Sequence, residues 1–450
     1  MTITLHALIM HLYCILDARS RLVSYRKAEN PVDYINRNIE SIATETAGMF
    51  KVLLISGARQ VGKSTILNHL FADYKQIVLD DLTLRTQAIN EPGLFIKDNP
   101  PPALIDEVQY APNLFPYIKM VCDKSNENGL YLMTGSQQFR LMKNVSESLA
   151  GRVGILELST FSLREIQRIP FNKHFIPTET YIKSREKHIK PYKDLWEIIH
   201  RGGYPALQDK GVSWERFFIS YIQTYVERDI KELGMIKDQL KFNQFLTALA
   251  ARTAQIINYQ NMADELEISL NTVKNWVSLL EATGLIFILQ PFSNNALTRA
   301  IKTPKLYFKD TGLVCYLTKW NTPETAKIGA MAGALFETFV VSEILKSYSN
   351  EGLDYRSRIF WYRGKDKLRR KHDGELVQTE MEIDLILEEN GIYHPIEIKM
   401  TANPKANMAA GFEVLDKIPD AKRGEGAIIC LYDKPISLRE NVRAIPVNYI

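Results

Sequence analysis

The stretch Gly57-Ala58-Arg59-Gln60-Val61-Gly62-Lys63-Ser64-Thr65 fits G-x-x-x-x-G-K-[ST] and stands where a strand should turn into a helix. Upstream, Lys51-Val52-Leu53-Leu54-Ile55 is a short apolar run of buried-strand type; downstream, Ser64 to Phe71 carries Ile66, Leu67 and Leu70 at helical spacing. A phosphate loop requires that setting. Gly57 and Gly62 let backbone N–H groups curl round phosphate oxygens, and the helix N-terminus adds positive partial charge. Lys63 reaches the β/γ oxygens, and the Ser64 hydroxyl, followed by Thr65, reaches the metal. ATP and Mg2+ are the expected ligands. The plainer alternative is a glycine turn followed by a surface lysine.

Further along, Asn99-Pro100-Pro101-Pro102 breaks the chain before Ala103-Leu104-Ile105-Asp106-Glu107. A buried parallel strand delivers Asp106 to its carboxyl end, where open α/β sheets place ligands and where a carboxylate holds Mg2+ through its water shell. Glu107 is then free to orient and deprotonate an attacking water. Two acids after an apolar run are also how an ordinary strand end meets solvent; helix–strand–helix material between Lys63 and Asp106 favours the catalytic reading. Leu130-Tyr131-Leu132-Met133 is another apolar strand, and at its end Thr134 and Ser136 offer a hydrogen bond to the γ-phosphate or the attacking water, or simply a polar turn. Arg152, in Ser148-Leu149-Ala150-Gly151-Arg152-Val153, supplies a charge for the γ-phosphate within the subunit or across the interface of a homo-oligomer; the alternative is a structural cap.

From Tyr34 to about Glu165, the strings GARQVGKST, LIDEVQ, LMTGSQQF, SLAGR and Leu158-Ser159-Thr160-Phe161-Ser162-Leu163-Arg164-Glu165 resemble AAA+ superfamily ATPases of a bacterial and archaeal group described only as "ATP-binding protein". Arg201-Gly202-Gly203-Tyr204-Pro205, Thr224-Tyr225-Val226-Glu227-Arg228-Asp229-Ile230 and Lys305-Leu306-Tyr307-Phe308-Lys309-Asp310-Thr311-Gly312-Leu313 are similar to recurring strings in that group's second half. The resemblance implies an α/β protein: a P-loop AAA+ nucleotide-binding domain, a helical and winged-helix domain, and a restriction-endonuclease-like α/β domain. It implies ATP use and says much less about biological role.

The expected division is a helical or disordered segment at 1–32, the nucleotide domain at 33–165, a lid or linker at 166–205, the helical and winged-helix part at 206–325 and the nuclease-like part at 326–450. Ile169 to Lys193 is charged and contains proline, as a lid or linker would. Tyr259 to Leu266, a tight Glu267-Ile268-Ser269, and Leu270 to Glu281 read as a helix-turn-helix. Val273, Trp276, Val277 and Leu280 share one face of its second helix and leave Asn271, Thr272, Lys274 and Asn275 outward. A strand from Leu285 to Phe292 and a loop with Arg299, Lys302 and Lys305 complete a wing for DNA phosphates, or a winged helix that only packs or dimerises.

The last segment holds a second chemical pattern. Glu337 is a lone acid in the apolar helix Ala334 to Val341; Glu380 to Leu387 alternates like a strand, and His394 to Lys399 is another. Asp384 with Glu397-x-Lys399 resembles the D-x(n)-E-x-K core of restriction-endonuclease-like nucleases, with Glu337 in that family's first helix. On a strand Glu397 and Lys399 project to one face, so Asp384 and Glu397 are the expected Mg2+ ligands while Lys399 positions the water. Lys365, Lys367, Arg369, Arg370 and Lys371 supply charge for a phosphodiester, or form a solvated loop.

The chain of 450 residues exceeds one core, and 46% hydrophobic with 24% charged residues is the balance of a folded globular protein. A net charge of +4 does not announce a nucleic-acid binder. Cys14, Cys122, Cys315 and Cys430 lack metal-ligand spacing, which points to a reducing compartment, the cytoplasm. Ile3 to Leu16 contains His6 and His11, lacks a basic start and falls short of the roughly 20 residues of a membrane helix, so neither span nor signal is expected. Two functions stand: an ATPase that couples nucleotide state to binding or cleavage of nucleic acid, and an ATP-dependent switch whose nuclease-like domain is an inactive scaffold.

Overall fold

Short apolar strands alternating with helices build a parallel sheet at the front of the chain. A computed structural model describes residues 34–135, 148–191, 194–226, 238–293, 303–370, 376–419 and 421–450. Helix α1 (Glu40–Met49) precedes β1 (Val52–Ser56), α2 (Lys63–Leu70), β2 (Lys75–Val78), α3 (Leu82–Asn90), α4 (Pro92–Asp98), β3 (Ala103–Asp106), α5 (Leu114–Lys124), β4 (Tyr131–Gly135) and β5 (Val153–Glu157). These strands pair in parallel in the order β2-β3-β4-β1-β5. Strand β1 is buried on both faces, which explains its unbroken apolar run: Leu53 and Ile55 join one core, Val52 and Leu54 the other. Because β4 lies between β1 and β3, the ends of all three converge at one edge of the sheet.

Four short helices follow: α6 (Leu163–Ile166), α7 (Glu179–Glu186), α8 (Leu195–Arg201) and α9 (Trp214–Tyr221). The stretch expected as a lid or linker also carries an apolar set, for Ile169, Phe171, Phe175, Ile176, Tyr181 and Ile182 are buried between its charges. Asp310 ties two of the quoted strings together: its carboxylate accepts from Gly203 N at 2.8 Å and caps α13 (Thr311–Leu317) through Leu313 N at 3.0 Å. A side chain at Gly202 would lie 2.4 Å from that carboxylate, so the glycine is required by close approach as well as by its φ of +78°.

Helices α10 (Gln239–Ala250), α11 (Tyr259–Leu266) and α12 (Leu270–Ala282) pack with a small antiparallel sheet of order β6-β8-β7, formed by β6 (Gln255–Ile256), β7 (Ile286–Leu289) and β8 (Lys305–Phe308). The two expected helices and their turn are present. Val273, Trp276, Val277 and Leu280 are buried, and Asn271, Lys274 and Asn275 are exposed. Arg299 and Lys302 lie outside the described residues.

After α14 (Pro323–Ile328), the 19-residue α15 (Ala332–Asn350) runs beneath a second large sheet. That sheet has the order β14-β15-β13-β11-β10-β9, from β9 (Ile359–Arg370), β10 (Leu376–Glu389), β11 (Ile392–Ile398), β13 (Gly426–Cys430), β14 (Ile436–Arg439) and β15 (Val442–Pro446), with β12 (Lys422–Arg423) beside β11. One apolar cluster runs through Leu53, Ile286, Leu306, Val340, Leu385 and Ile396, joining all three sheets. Cys122, Cys315 and Cys430 are buried free thiols, and among the described residues no helix is long and apolar enough to cross a membrane. The segment 1–32, Cys14 included, lies outside the described residues, as does Lys371.

A buried ion pair fastens the phosphate-loop region to α6. Glu165 accepts from Arg37 Nε at 3.0 Å and Asn38 N at 2.9 Å, and closes a capping box with Ser162. Burial pushes its carboxyl up, but Arg37 and these donors outweigh burial and hold it below the usual range. Glu165→Ala leaves a buried guanidinium without its counter-charge, so a loss of about 3–5 kcal/mol is expected, read as a lower urea midpoint. An unchanged midpoint would show the pair to be idle.

Candidate functional site

The loop after β1 has the form its glycines demand. Gly57, at φ +144°, has its α-carbon so close to Leu158 O that a Cβ there would sit 2.2 Å away, and Gly62, at φ +94°, begins α2. Lys63 is buried; its ammonium donates to Ala58 O at 2.9 Å and Gly57 O at 3.2 Å, curled back onto the loop. Ser64 Oγ donates to Asp106 at 2.7 and 2.9 Å, while Thr65, one residue on, is exposed. Hydroxyl and carboxylate thus form the oxygen pair that would share a Mg2+, and the loop supplies the cradle. The residues fit ATP and Mg2+.

Thr134 organises the acids. Its hydroxyl, fully buried at the end of β4, donates to Asp106 Oδ1 and accepts from Glu107 N at 3.1 Å. One hydroxyl thus holds both acids in register at the strand end where a bond to the γ-phosphate or the attacking water is expected; Ser136 lies outside the described residues. Glu107 leaves β3 in a left-handed conformation, φ +58°, and its carboxylate accepts from Gln109 Nε2. That backbone is uncommon for a large side chain, and it ends the strand at Asp106.

Arg152 stands at the wrong end of its own sheet for γ-phosphate chemistry. Ser56, the root of the loop, pairs with Glu157, so Arg152 lies five residues back along β5, roughly 16 Å away. There its guanidinium bonds Asp123 and Ala150 O. A role within its own subunit is therefore replaced by a structural one. Arg37 was not foreseen: Nη1 donates to Val61 O at 2.9 Å and Nη2 to Ser159 O at 2.7 Å, bracing the loop from below. Nothing in its local sequence marks it; only Ser162-x-x-Glu165, a legible capping signal, hints at its partner.

A second cluster gathers in the C-terminal sheet. The antiparallel register of β10 and β11 runs to Leu385 against Ile396, one residue short of Asp384 and Glu397, and Ile398 N donates to Asp384 Oδ2 at 2.8 Å. Lys399 reaches Glu397 at 2.5 Å and Asp384 at 3.7 Å. Glu337 of α15 accepts from Tyr307 OH at 2.7 Å. Glu337, Asp384, Glu397 and Lys399 are thus brought together as expected. Burial, then the Asp384 charge, push the Glu337 carboxyl up to about 7 and the Glu397 carboxyl up to about 8.

Two expectations fail here. Lys305 is not a wing lysine facing DNA: it is 3% exposed, with its ammonium 2.5 Å from Glu382, 3.5 Å from Glu337 and 3.7 Å from Asp384. Nor does Asp384 stand open to a metal beside Glu397, for the Lys305 ammonium lies 3.7 Å from its carboxylate. An ammonium stands among the carboxylates instead, so the residues do not fit Mg2+ as placed. Sequence spacing could not show this, because Lys305 arrives from a separate sheet. The side chains of Lys365, Lys367, Arg369 and Arg370 lie outside the described residues.

Residues 49–167 match a family described as AAA domain, residues 192–324 a domain of unknown function (DUF8612), and residues 332–450 another (DUF4143). The match to an AAA domain spans the front parallel sheet and the loop from Gly57 to Ser64, and supports a P-loop domain there. Uncharacterized proteins of Mycobacterium bovis and Mycobacterium tuberculosis are each 24% identical over 405 residues, covering 89% of this chain and 80% of theirs. One from Methanocaldococcus jannaschii is 22% identical over 311 residues, 61% of this chain and 64% of its own. Among solved structures, a Walker-type ATPase of Pyrococcus abyssi aligns with a TM-score of 0.37 at 15% identity, over 63% of this chain and 96% of that one. AMPPCP-bound DnaA from Aquifex aeolicus aligns at 0.26 and 12%, over 54% and 85%.

Proposed function

We propose that the chain is a Mg2+-dependent ATPase of AAA+ type whose nucleotide state controls a C-terminal α/β scaffold. The carrying observation is the unbroken chain of hydrogen bonds Ser64–Asp106–Thr134–Glu107, which sets a metal-holding pair beside a carboxylate suited to deprotonate water. Gly57 and Gly62 shape the cradle, Lys63 meets the β/γ oxygens, and Ser64 and Asp106 hold Mg2+, which on binding neutralises phosphate charge.

Two elements support communication between the halves. At one end of β8, Lys309 pairs with Glu157 and donates to Tyr355 OH at 3.2 Å; Glu157 is the residue before the Leu158 carbonyl that presses on Gly57. Burial pushes the Glu157 carboxyl up, but Lys309 and Arg356 outweigh it and lower it to about 2, so this pair stays ionised at neutral pH. Lys305, four residues earlier and about 13 Å away, ends in the carboxylate cluster. Helix α15 does the same: Glu337 faces that cluster, while Glu343 accepts from Leu163 N at 2.7 Å and Lys346 donates to Phe161 O at 2.9 Å. A nucleotide that shifts the Leu158–Leu163 wall thereby bears on both.

A second reading, cleavage of nucleic acid, rests on Asp384 facing Glu397 with Lys399 on the same face, together with the helix, strand, two-helix and hairpin order of a winged helix. Phosphate release from ATP, assayed beside cleavage of plasmid and linear DNA with Mg2+ or Mn2+, separates them. Hydrolysis without cleavage is expected; no hydrolysis would sink the ATPase, and cleavage lost in Asp384→Ala would establish the nuclease. If Arg152 acts on a neighbour's γ-phosphate, specific activity rises with protein concentration and mixing Arg152→Ala with Lys63→Ala subunits restores turnover. Activity strictly proportional to enzyme, with no rescue, leaves Arg152 its structural bonds to Asp123 and Ala150 O.

A further inference from the structure

The carboxylates of the C-terminal sheet already have a cation, and it comes from another part of the chain. Lys305 leaves the end of β8, in the small three-stranded sheet, and its ammonium lies within 4 Å of Glu337 on α15 and of Glu382 and Asp384 on β10. The Trp361 ring of β9 closes over it, 5.2 Å from ammonium to ring centroid. Neighbouring β8 residue Tyr307 donates to Glu337 as well, so two side chains of β8 enter the same cluster. We propose that the Lys305 ammonium takes the place of a divalent ion in this cluster, as a latch between β8 and the C-terminal sheet, and that its removal converts the cluster into a divalent-cation site.

Charge balance supports both halves. Glu337, Glu382, Asp384 and Glu397 face two ammonium groups, those of Lys305 and Lys399. With Lys305 in place its charge sits among three of the acids, and a second cation entering there would meet repulsion at contact distance. Without it, the acids keep only the partly exposed Lys399 as counter-charge, and carboxylate oxygens left without a cation favour a hard one. The primary ammonium also suits the role: compact, it donates to Glu382 and Glu337 and sets its charge beside Asp384.

This inference rests on the scaffold reading of the C-terminal domain and is independent of the phosphate loop, so its test uses no ATPase measurement. Mn2+ is titrated into nucleotide-free protein and followed by electron paramagnetic resonance and by melting temperature. In the wild type, no binding that depends on Asp384 is expected. Lys305→Met, which keeps the stem and deletes the charge, gains one Mn2+ site and a melting temperature raised by the metal; Lys305→Met with Asp384→Asn loses both. Asp384-dependent Mn2+ binding in the wild type, or a folded Lys305→Met that binds none, would overturn the proposal. Should Lys305→Met fail to fold, amine-reactive labelling of the wild type decides: Lys305 should react at least tenfold more slowly than Lys399, and equal rates would refute its seating among the acids.

Discussion

Lys63→Ala is expected to lower affinity for ATP by roughly 10²- to 10⁴-fold, the loss of two hydrogen bonds to charged groups at about 1.5–3 kcal/mol each. The Lys63 ammonium has loop carbonyls as its partners, Ala58 O and Gly57 O, and these are weaker acceptors than the phosphate oxygens that would replace them. Buried under its own loop, it is already desolvated, so moving it onto a phosphate carries little further dehydration cost. Glycine N–H groups and the end of α2 remain in the variant, but they are fixed partial charges and cannot follow the β/γ oxygens. The fold should persist, because Arg37 holds the loop through Val61 O independently of Lys63. Titration of a fluorescent ATP analogue checks this, and unchanged affinity would remove the phosphate-loop assignment.

What could be read in advance follows from how local each signal is. The loop from Gly57 to Thr65, the strand before it and the Asp106–Glu107 strand end are contiguous strings whose physics is local, and the structure places them together. The approach of Asp384 to Glu397 was legible because two adjacent strands of period two carry them to one lysine, Lys399. Lys305 was not, since its role depends on β8 meeting a sheet formed later in the chain. Arg37 was hidden for the same reason: its partners Val61, Ser159 and Glu165 come from three separate places. The place of Arg152 is not local information: it follows β4 in the chain, but it stands where β5 begins, and a parallel strand begins at the far edge of the sheet. In the stretch from Ile169 to Lys193 composition hides packing: between its charges Phe171, Phe175 and Tyr181 are buried.

Glu107→Gln should separate binding from chemistry in a way Lys63→Ala cannot. The amide keeps the shape of the carboxylate, and its carbonyl oxygen can still accept from Gln109 Nε2. The left-handed backbone at Glu107 and its N–H bond to Thr134 are untouched, so the Ser64–Asp106 pair that would hold the metal stays in place. ATP affinity should therefore match the wild type. Hydrolysis should not survive: an amide oxygen is too weak a base to take a proton from water near neutral pH, and loss of a positioned general base costs roughly 10²–10⁴-fold in rate. Single-turnover hydrolysis and ATP titration on the same preparation give both numbers. Wild-type turnover in Glu107→Gln would mean that another group activates the water, whereas joint loss of binding and turnover would mean that Glu107 shapes the site through its charge.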